Sequence, residues 1–180
     1  MKSIYVILKN EYINMFGEKK LMFIRTLLCY YRCIEYRAIV LIRIYLQRDK
    51  GILKKIIRKK LALKYSIELG INPKIGKNLR LPHIQNIIIG NEVVIGNNCI
   101  LYQDVTLGQK HKGIKGYGEE PILKDNVVVF AGAKIFGKIE IGNNSSIGAN
   151  AVVFKDVPDN SLAVGVPAKV IEGKNGKWIH

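Results

Sequence analysis

Aliphatic residues recur at every sixth position through most of the C-terminal half of this 180-residue chain. A period of six fits neither an α-helix, with about 3.6 residues per turn, nor a strand that alternates every two residues. It predicts a mainly β solenoid built from hexapeptide segments, each a short strand followed by a turn. The repeating positions form two runs: Ile89, Ile95, Leu101, Leu107, and then Leu123, Val129, Ile135, Ile141, Ile147, Val153.

Three six-residue segments make one coil of about 18 residues, and neighbouring coils stack about 4.8 Å apart. A second register of small or β-branched residues lies two positions earlier, from Ile87 to Val157. Both registers must face the interior, where no room is left for water. Asparagine-rich corners at 96–98 and 142–144 predict turns in the left-handed backbone region.

The chain divides into three predicted parts. Residues 1–68 are a basic α-helical segment with breaks at Gly17 and Gly51, since apolar residues recur there at helical spacing. Residues 69–160 are the solenoid and would carry the catalysis, with an extended loop at 108–122. Residues 161–180 form a C-terminal tail or cap, because a stack of coils needs its open ends covered.

Positive charge is concentrated in the helical segment. Residues 1–68 hold 16 Lys and Arg against 5 acids, whereas residues 69–180 hold 13 against 9. The charge predicts contact with an anionic glycan or membrane surface, or else a solvated basic face. The amphipathic stretch 50–64 is compatible with lying on a membrane and, slightly better, with packing on its neighbours. No motif for nucleic-acid recognition accompanies the charge, so nucleic acid is not an expected partner.

The chain shows no signal peptide and no apolar stretch long enough to span a membrane. Its three cysteines, Cys29, Cys33 and Cys99, favour reduced thiols over a disulfide framework. Cys29 and Cys33 share a helix face, and core packing explains them better than a metal pair. These features predict a cytoplasmic protein, with contact at the inner face of the membrane left open.

The repeat is interrupted twice. Leu81 and Ile89 are eight residues apart, which places two extra residues near positions 86–88. The register also breaks after Leu107 and resumes at Leu123, so the glycine-rich charged segment between them is a loop outside the coil wall.

Counting segments through these interruptions stacks Leu81, Leu101, Val129 and Ile147 on one side of the solenoid. Two residues after each lie His83, Gln103, Ala131 and Ala149. The sequence therefore predicts a groove with a base at one end and room for an extended ligand beside small side chains.

These repeats resemble the left-handed β-helix hexapeptide acyltransferases. Within that family they resemble the serine acetyltransferase branch and its relatives that O-acetylate capsule or lipopolysaccharide sugars. The matching strings are INPKIG, ILYQDVTLG, AGAKIFGKIEIGNNSSIGANAVV and AVGVPAKVI, within residues 71–171. The resemblance implies a left-handed parallel β-helix, a homotrimer, and acetyl-CoA as acyl donor between adjacent subunits, with no metal.

The resemblance also implies roles for particular residues. His83 would act as general base on the acceptor hydroxyl, a task that suits imidazole because it titrates near neutral pH. Acetyl-CoA would bind against small or basic positions of the wall: Gly108, Ala131, Gly132, Ala149, Lys169. His111, in the extended loop, is a second candidate for contact with substrate.

The departures from the serine enzymes concern the acceptor. The family aspartate that orients the catalytic histidine maps to Gly70, so Gln103 is the predicted replacement, with Glu68, Asp104 or a backbone carbonyl as alternatives. Glu119 and Glu120 stand where the serine enzymes carry an Arg-His pair, so an α-carboxylate would meet negative charge.

These departures favour O-acetylation of a surface-polysaccharide sugar or its precursor. Serine O-acetylation is the alternative within the same class. A γ-type carbonic anhydrase is disfavoured, because three zinc-binding histidines are needed and the chain has only three in all. A non-catalytic scaffold that docks at membranes is the alternative of another class.

Overall fold

The computed structural model describes residues 4–48, 50–109 and 120–173. Helices come first: α1 (Ile4–Phe16), α2 (Met22–Arg32), α3 (Ile34–Leu46) and α4 (Ile52–Tyr65). Gly17 follows α1 and Gly51 precedes α4, both with positive φ, which a glycine adopts without the steric cost of a Cβ. Ser66 ends α4 in the left-handed conformation, with its N–H bonded to the Leu61 carbonyl.

Fourteen short strands follow within the described residues. They are β1 (Ile67–Leu69), β2 (Lys74–Ile75), β3 (Ile87–Ile89), β4 (Val94–Ile95), β5 (Ile100–Leu101), β6 (Thr106–Gly108), β7 (Ile122–Leu123), β8 (Val128–Val129), β9 (Lys134–Phe136), β10 (Glu140–Ile141), β11 (Ser146–Ile147), β12 (Val152–Val153), β13 (Ser161–Val164) and β14 (Lys169–Glu172).

The strands form three sheets that are the three sides of a parallel β-helix. Sheet 1 has the order β1-β3-β6-β9-β12, sheet 2 the order β10-β7-β4-β2, and sheet 3 the order β14-β13-β11-β8-β5. All pairs are parallel except β13 with β14. Leu101 pairs with Val129, and Val129 with Ile147, which confirms the predicted stacking of these segments.

Both hexad registers face the interior, where the side chains are almost completely buried. The interior continues without a gap into α3 and α4, whose Ile42, Tyr45, Leu61 and Tyr65 belong to the same apolar core. Helix α4 packs on β1 and α3 on α4, so these helices close the N-terminal end of the stack. At the other end, β14 runs antiparallel along β13.

Stacking extends beyond both predicted boundaries of the solenoid. It begins at Ile67, which pairs with Ile87, rather than at residue 69. It continues past residue 160 because β13 pairs with β11. Ile67 and Ala163 are both fully buried, so the interior positions of the repeat persist at each end.

The turn from sheet 2 to sheet 3, here called the asparagine corner, has an asparagine in the left-handed conformation in every coil: Asn78, Asn98, Asn126, Asn144 and Asn160. Their side-chain amides bond from coil to coil at 2.8–3.1 Å. The predicted left-handed corners at 96–98 and 142–144 are therefore confirmed. None of the helices that the structure describes is long and apolar enough to cross a bilayer.

Candidate functional site

His83 lies where the chain turns from sheet 3 to sheet 1. We call this edge the His83 corner; it comprises residues 82–86, 102–104, 130–132 and 148–150. The imidazole is exposed, and its ring centre is 6.4 Å from that of Tyr102. Tyr102 stacks in turn on Phe130, with centroids 5.4 Å apart and planes 15° apart. An aromatic column thus runs along the corner beside the predicted groove.

The two extra residues of this coil lie at the corner itself. Arg80 pairs with Ile100, whereas six residues later Asn86 Nδ2 donates to Asp104 Oδ1, only four residues after Ile100, at 2.9 Å. The Asp104 N–H also donates to the Gln85 carbonyl at 2.9 Å. Residues 82–85 therefore contain the insertion, and the predicted position at 86–88 is wrong.

This corrects the predicted column. The backbone ladder aligns Gln85, Gln103, Ala131 and Ala149, because the N–H groups of Gly132 and Asn150 continue the same pattern to the carbonyls of Gln103 and Ala131. His83 stands two residues earlier, in the bulge that the insertion creates. His83 therefore lies at the same corner as the predicted groove, but it is not part of the backbone hydrogen-bond ladder that aligns the groove residues.

The far part of the groove is lined by small residues. Ala131 and Gly132 are half-buried and Ala149 is exposed. Gly132 has φ +76°, which strains any residue with a Cβ, and a Cβ built on it would lie 2.0 Å from Asn150 Oδ1 and displace that amide. A thin, extended ligand can approach the backbone here.

The two other predicted ligand contacts lie at different places. Gly108 ends β6 at the opposite edge of sheet 1, opposite Phe136 in the neighbouring coil. Lys169 begins β14 and is exposed beside Val164, which stacks on Gly148 at the C-terminal end of the His83 corner. One chain therefore brings Ala131, Gly132, Ala149 and Lys169 to the corner of His83, but not Gly108.

No described residue donates or accepts a hydrogen bond with the His83 side chain. Gln103 Oε1 is buried with no partner among the described residues, so the structure shows no bond through which Gln103 would orient the imidazole, and that role stays a prediction. Asp104, the alternative, accepts its bond from Asn86 instead. The contact with the Tyr102 ring is the interaction that the structure shows for this imidazole.

Glu120 lies at the opposite edge of sheet 1, where the chain turns into sheet 2. It is only 6% exposed, and its Oε1 accepts a hydrogen bond of 3.1 Å from the Asn91 N–H. Burial raises the pKa of this carboxyl, and the nearby charge of Glu92 adds to the rise. Its Oε2 is buried with no partner among the described residues. Glu120 is therefore a buried group that supports a turn, and its predicted role opposite an acceptor carboxylate stays a prediction. Glu119 and His111 lie outside the described residues.

Gly70 leaves no space for the family's aspartate in this backbone arrangement. A Cβ built on Gly70 would lie 2.3 Å from the Asn91 Cα and from the Gly90 carbonyl oxygen. Real Cβ atoms do not approach backbone so closely, so any side chain here would force the two coils apart.

A cleft of about 200 Å³ opens beside Glu120. Gly70, Gly90 and Gly108 form part of its wall, and the charged residues that line it are Arg58, Glu68 and Glu120. Arg58 and Glu68 also border the adjoining cleft of about 480 Å³ under α4. The sequence prediction missed Arg58, which was assigned only to a basic helix face.

Metal chemistry has no support in the part of the chain that the structure describes. No group of three or more His, Cys, Asp and Glu residues there is arranged to hold an ion. Cys29 is buried against Tyr36 and Val40 in the helical core, and burial raises the pKa of its thiol to about 12. Core packing therefore accounts for Cys29.

Comparison with known proteins places the chain beside one enzyme class. It is 35% identical over 151 residues to a serine acetyltransferase of Synechococcus elongatus, covering 82% of this chain and 60% of that protein. It is 41% identical over 111 residues to a serine acetyltransferase of Staphylococcus aureus, covering 59% and 49% respectively. No protein-family model matches the chain.

Solved structures of the same enzyme class share the fold of this chain. A serine acetyltransferase in complex with CoA superposes with a TM-score of 0.73 at 26% identity, covering 93% of this chain and 68% of that one. The expected left-handed parallel β-helix with an N-terminal helical segment is thereby confirmed. The chain spans only about half to three-fifths of the length of these curated relatives.

Proposed function

Because this chain belongs to the hexapeptide-repeat left-handed β-helix acyltransferase family, we propose that it transfers an acetyl group from acetyl-CoA to the hydroxyl of serine. The relatives that support this proposal are named serine acetyltransferases. A sugar acceptor, which the loop acids favoured, has no support among them. The Oε1 of Glu120 is engaged by the Asn91 N–H, which weakens the argument from the loop acids against serine.

The observation that carries the proposal is the exposed His83 at a corner of the solenoid. The other predicted donor contacts at this corner, Ala131, Gly132 and Ala149, have small side chains or none. In the proposed reaction, the imidazole accepts the proton of the serine hydroxyl as its oxygen attacks the thioester carbonyl. The carbon–sulfur bond then breaks, and the CoA thiolate leaves and takes up a proton. No covalent intermediate with the protein is needed, because the thioester is already activated.

Acetyl-CoA would lie with its thin pantetheine arm along Ala131, Gly132 and Ala149. Side chains there are small or absent, and a longer one at Gly132 would strike Asn150. Tyr102 and Phe130 give the same corner an apolar wall that excludes water from one side of the arm. Lys169, beside Val164, lies beyond Ala149 at the same corner, whereas Gly108 would contact the donor only from a neighbouring copy.

Replacing His83 with Ala tests the mechanism. Loss of a general base lowers kcat by about 10²–10⁴-fold, whereas the affinity for CoA should be unchanged. Thiol release from acetyl-CoA with L-serine as acceptor measures the first quantity, and thermal stabilisation by CoA measures the second. His83→Gln serves as a variant of similar size that cannot act as a base.

Two results would contradict the proposal. Full turnover by His83→Ala would exclude the imidazole as base. Wild-type transfer to a panel of sugars but not to L-serine would return the acceptor to the glycan class.

A further inference from the structure

The His83 imidazole is exposed, but the backbone that carries it is fixed on both sides. Pro82 precedes it, and the proline ring locks its own φ. Ile84 follows it and is only 7% exposed, and Asn86 then returns the chain to the ladder through its side-chain bond to Asp104. The side-chain torsions of His83 are therefore the freedom that remains to the imidazole, and a general base must be held in the orientation that faces its proton.

Hydrogen bonds do not restrict these torsions in the part of the chain that the structure describes. The Asp104 carboxylate accepts its bond from Asn86, and the Asp104 carbonyl oxygen accepts one from Lys134 Nζ. Gln103 Oε1 is buried with no partner among the described residues, so the structure shows no bond from it to the imidazole. At the opposite edge of sheet 1, Gly70 has no space for a side chain that could carry a carboxylate.

The Tyr102 ring does contact the imidazole. The two ring centres are 6.4 Å apart, and the planes are tilted by 48°. This distance lies within the range of about 4.5–7 Å over which two aromatic rings in a tilted arrangement attract each other. The ring of Tyr102 therefore favours some orientations of the His83 side chain over others.

Tyr102 is itself held by the wall of the solenoid. It is half-buried, and its ring stacks on that of Phe130, with centroids 5.4 Å apart and planes 15° apart. The Tyr102 N–H donates to the Val129 carbonyl at 3.0 Å, and the Phe130 N–H donates to the Ile147 carbonyl at 2.9 Å. The ring that contacts His83 thus belongs to a column that is bonded to the next coil at both levels.

We propose that Tyr102 is a positioning residue, whose ring holds the His83 imidazole in the orientation in which it accepts the proton of the acceptor hydroxyl. The inference rests on the proposed function for the role of His83 as base. Contact through a ring leaves both imidazole nitrogens free of hydrogen bonds to the protein, so a nitrogen remains available to the proton. Tyr102 thereby takes over the orienting role of the carboxylate that Gly70 cannot provide.

Two substitutions at Tyr102 separate its ring from its hydroxyl. Tyr102→Leu removes the ring and keeps an apolar side chain, whereas Tyr102→Phe keeps the ring. We expect Tyr102→Leu to lower kcat with L-serine about three- to tenfold, the effect of one aromatic contact, without raising the KM for L-serine. Tyr102→Phe should retain the wild-type kcat. An equal fall in both variants would assign the effect to the hydroxyl and overturn the proposal.

Tyr102 also borders the proposed path of the donor arm, so a double-mutant cycle separates the two contributions. In the His83→Ala protein, Tyr102→Leu should leave the residual kcat unchanged, because the base that it would position is absent. Phe130→Leu is the matched control, since it removes a ring of the same column that is stacked on Tyr102 rather than on His83. It should lower kcat less than Tyr102→Leu does. A loss from Tyr102→Leu that is the same with and without His83 would overturn the proposal.

NMR of the His83 ring protons tests the contact without turnover. A neighbouring aromatic ring shifts these resonances through its ring current, and His83→Gln identifies them by their loss. Wild type and Tyr102→Phe should show the shift, whereas Tyr102→Leu should lose it. That result supports the contact even if serine is not the acceptor. Identical His83 resonances in wild type and Tyr102→Leu would overturn the proposal while leaving the acetyl-transfer function intact.

Discussion

His83 owes its exposure to the two extra residues of its coil. The ladder is resumed at Gln85 and Asn86, whose backbone and side-chain bonds to the next coil are intact. Ile84, only 7% exposed, anchors the bulge in the core between His83 and Gln85. The imidazole is thus held outside the wall by an insertion that disturbs no neighbouring coil.

The residues of the groove were predictable except where the repeat is ambiguous. Gln103, Ala131 and Ala149 were placed correctly because Leu101, Val129 and Ile147 each begin an unbroken segment. Ile87, Ile88 and Ile89 are three identical residues that fit either register, so the insertion could not be located from them. Only the hydrogen bonds of Asn86 and Asp104 show where the additional residues are.

Because the pKa of the Glu120 carboxyl is raised, we expect the stability of the protein to depend on pH. Its pKa is raised above the ordinary value of 4.5, mainly by burial, so the folded protein holds this proton more tightly than the unfolded chain. The contribution of Glu120 to the free energy of unfolding is therefore greatest below about pH 4.5, and it falls as the pH rises towards the folded-state pKa.

Glu120→Gln removes this titration and keeps an oxygen that can accept the bond from Asn91. We expect the Tm of the variant, relative to wild type, to be higher at about pH 7 than at about pH 4. Glu172→Gln, in exposed β14, controls for the general effect of removing one negative charge. A Tm difference that is the same at both pH values would exclude the raised pKa.

Among the elements, the asparagine corner is the one whose geometry the sequence predicted best. Each asparagine combines a left-handed φ with a side-chain bond to the next coil, as Asn126 does to Asn144 at 2.9 Å. Asp125 and Asp159 reinforce the same edge, and hydrogen bonds from Asn97 and Asn143 lower the pKa of their carboxyl groups. Both the positive φ and the side-chain hydrogen bonds between coils favour asparagine at this corner.

Two substitutions at Asn126 separate these contributions. Asn126→Gly keeps the left-handed φ without strain but loses the amide ladder, whereas Asn126→Ala loses both. We expect Asn126→Ala to lower the free energy of unfolding by about 1–2 kcal/mol more than Asn126→Gly does. Equal losses in urea unfolding would show that the ladder alone selects asparagine here.

The tertiary contacts of helix α4 could be predicted only in part from its own sequence pattern. Its lysines and arginine were predicted as a basic face, and its amphipathic pattern correctly favoured packing through Ile57, Leu61 and Tyr65. Arg58 and Glu68 border the same clefts because of how α4 packs on β1, which is tertiary packing that no local pattern specifies. No observation supports a membrane contact for this helix.

At the scale of the whole molecule, one chain holds apart two residues to which the family resemblance gives roles in the reaction. His83 and Gly108 lie at opposite edges of sheet 1, and Gly108 borders the cleft beside Glu120. A cyclic oligomer brings one edge of a subunit against the other edge of its neighbour. The homotrimer implied by the family resemblance would therefore complete the site.

The stacked coils of the His83 corner also fix a distance along the solenoid. Three coil-to-coil steps separate the coil of His83 from that of Ala149, roughly 14 Å at the ordinary spacing of strands. That spacing is set by backbone hydrogen bonds and cannot stretch. In the proposed reaction, the donor therefore reaches His83 only when the arm that lies along these coils has the matching length, and the number of coils between His83 and Ala149 sets that length.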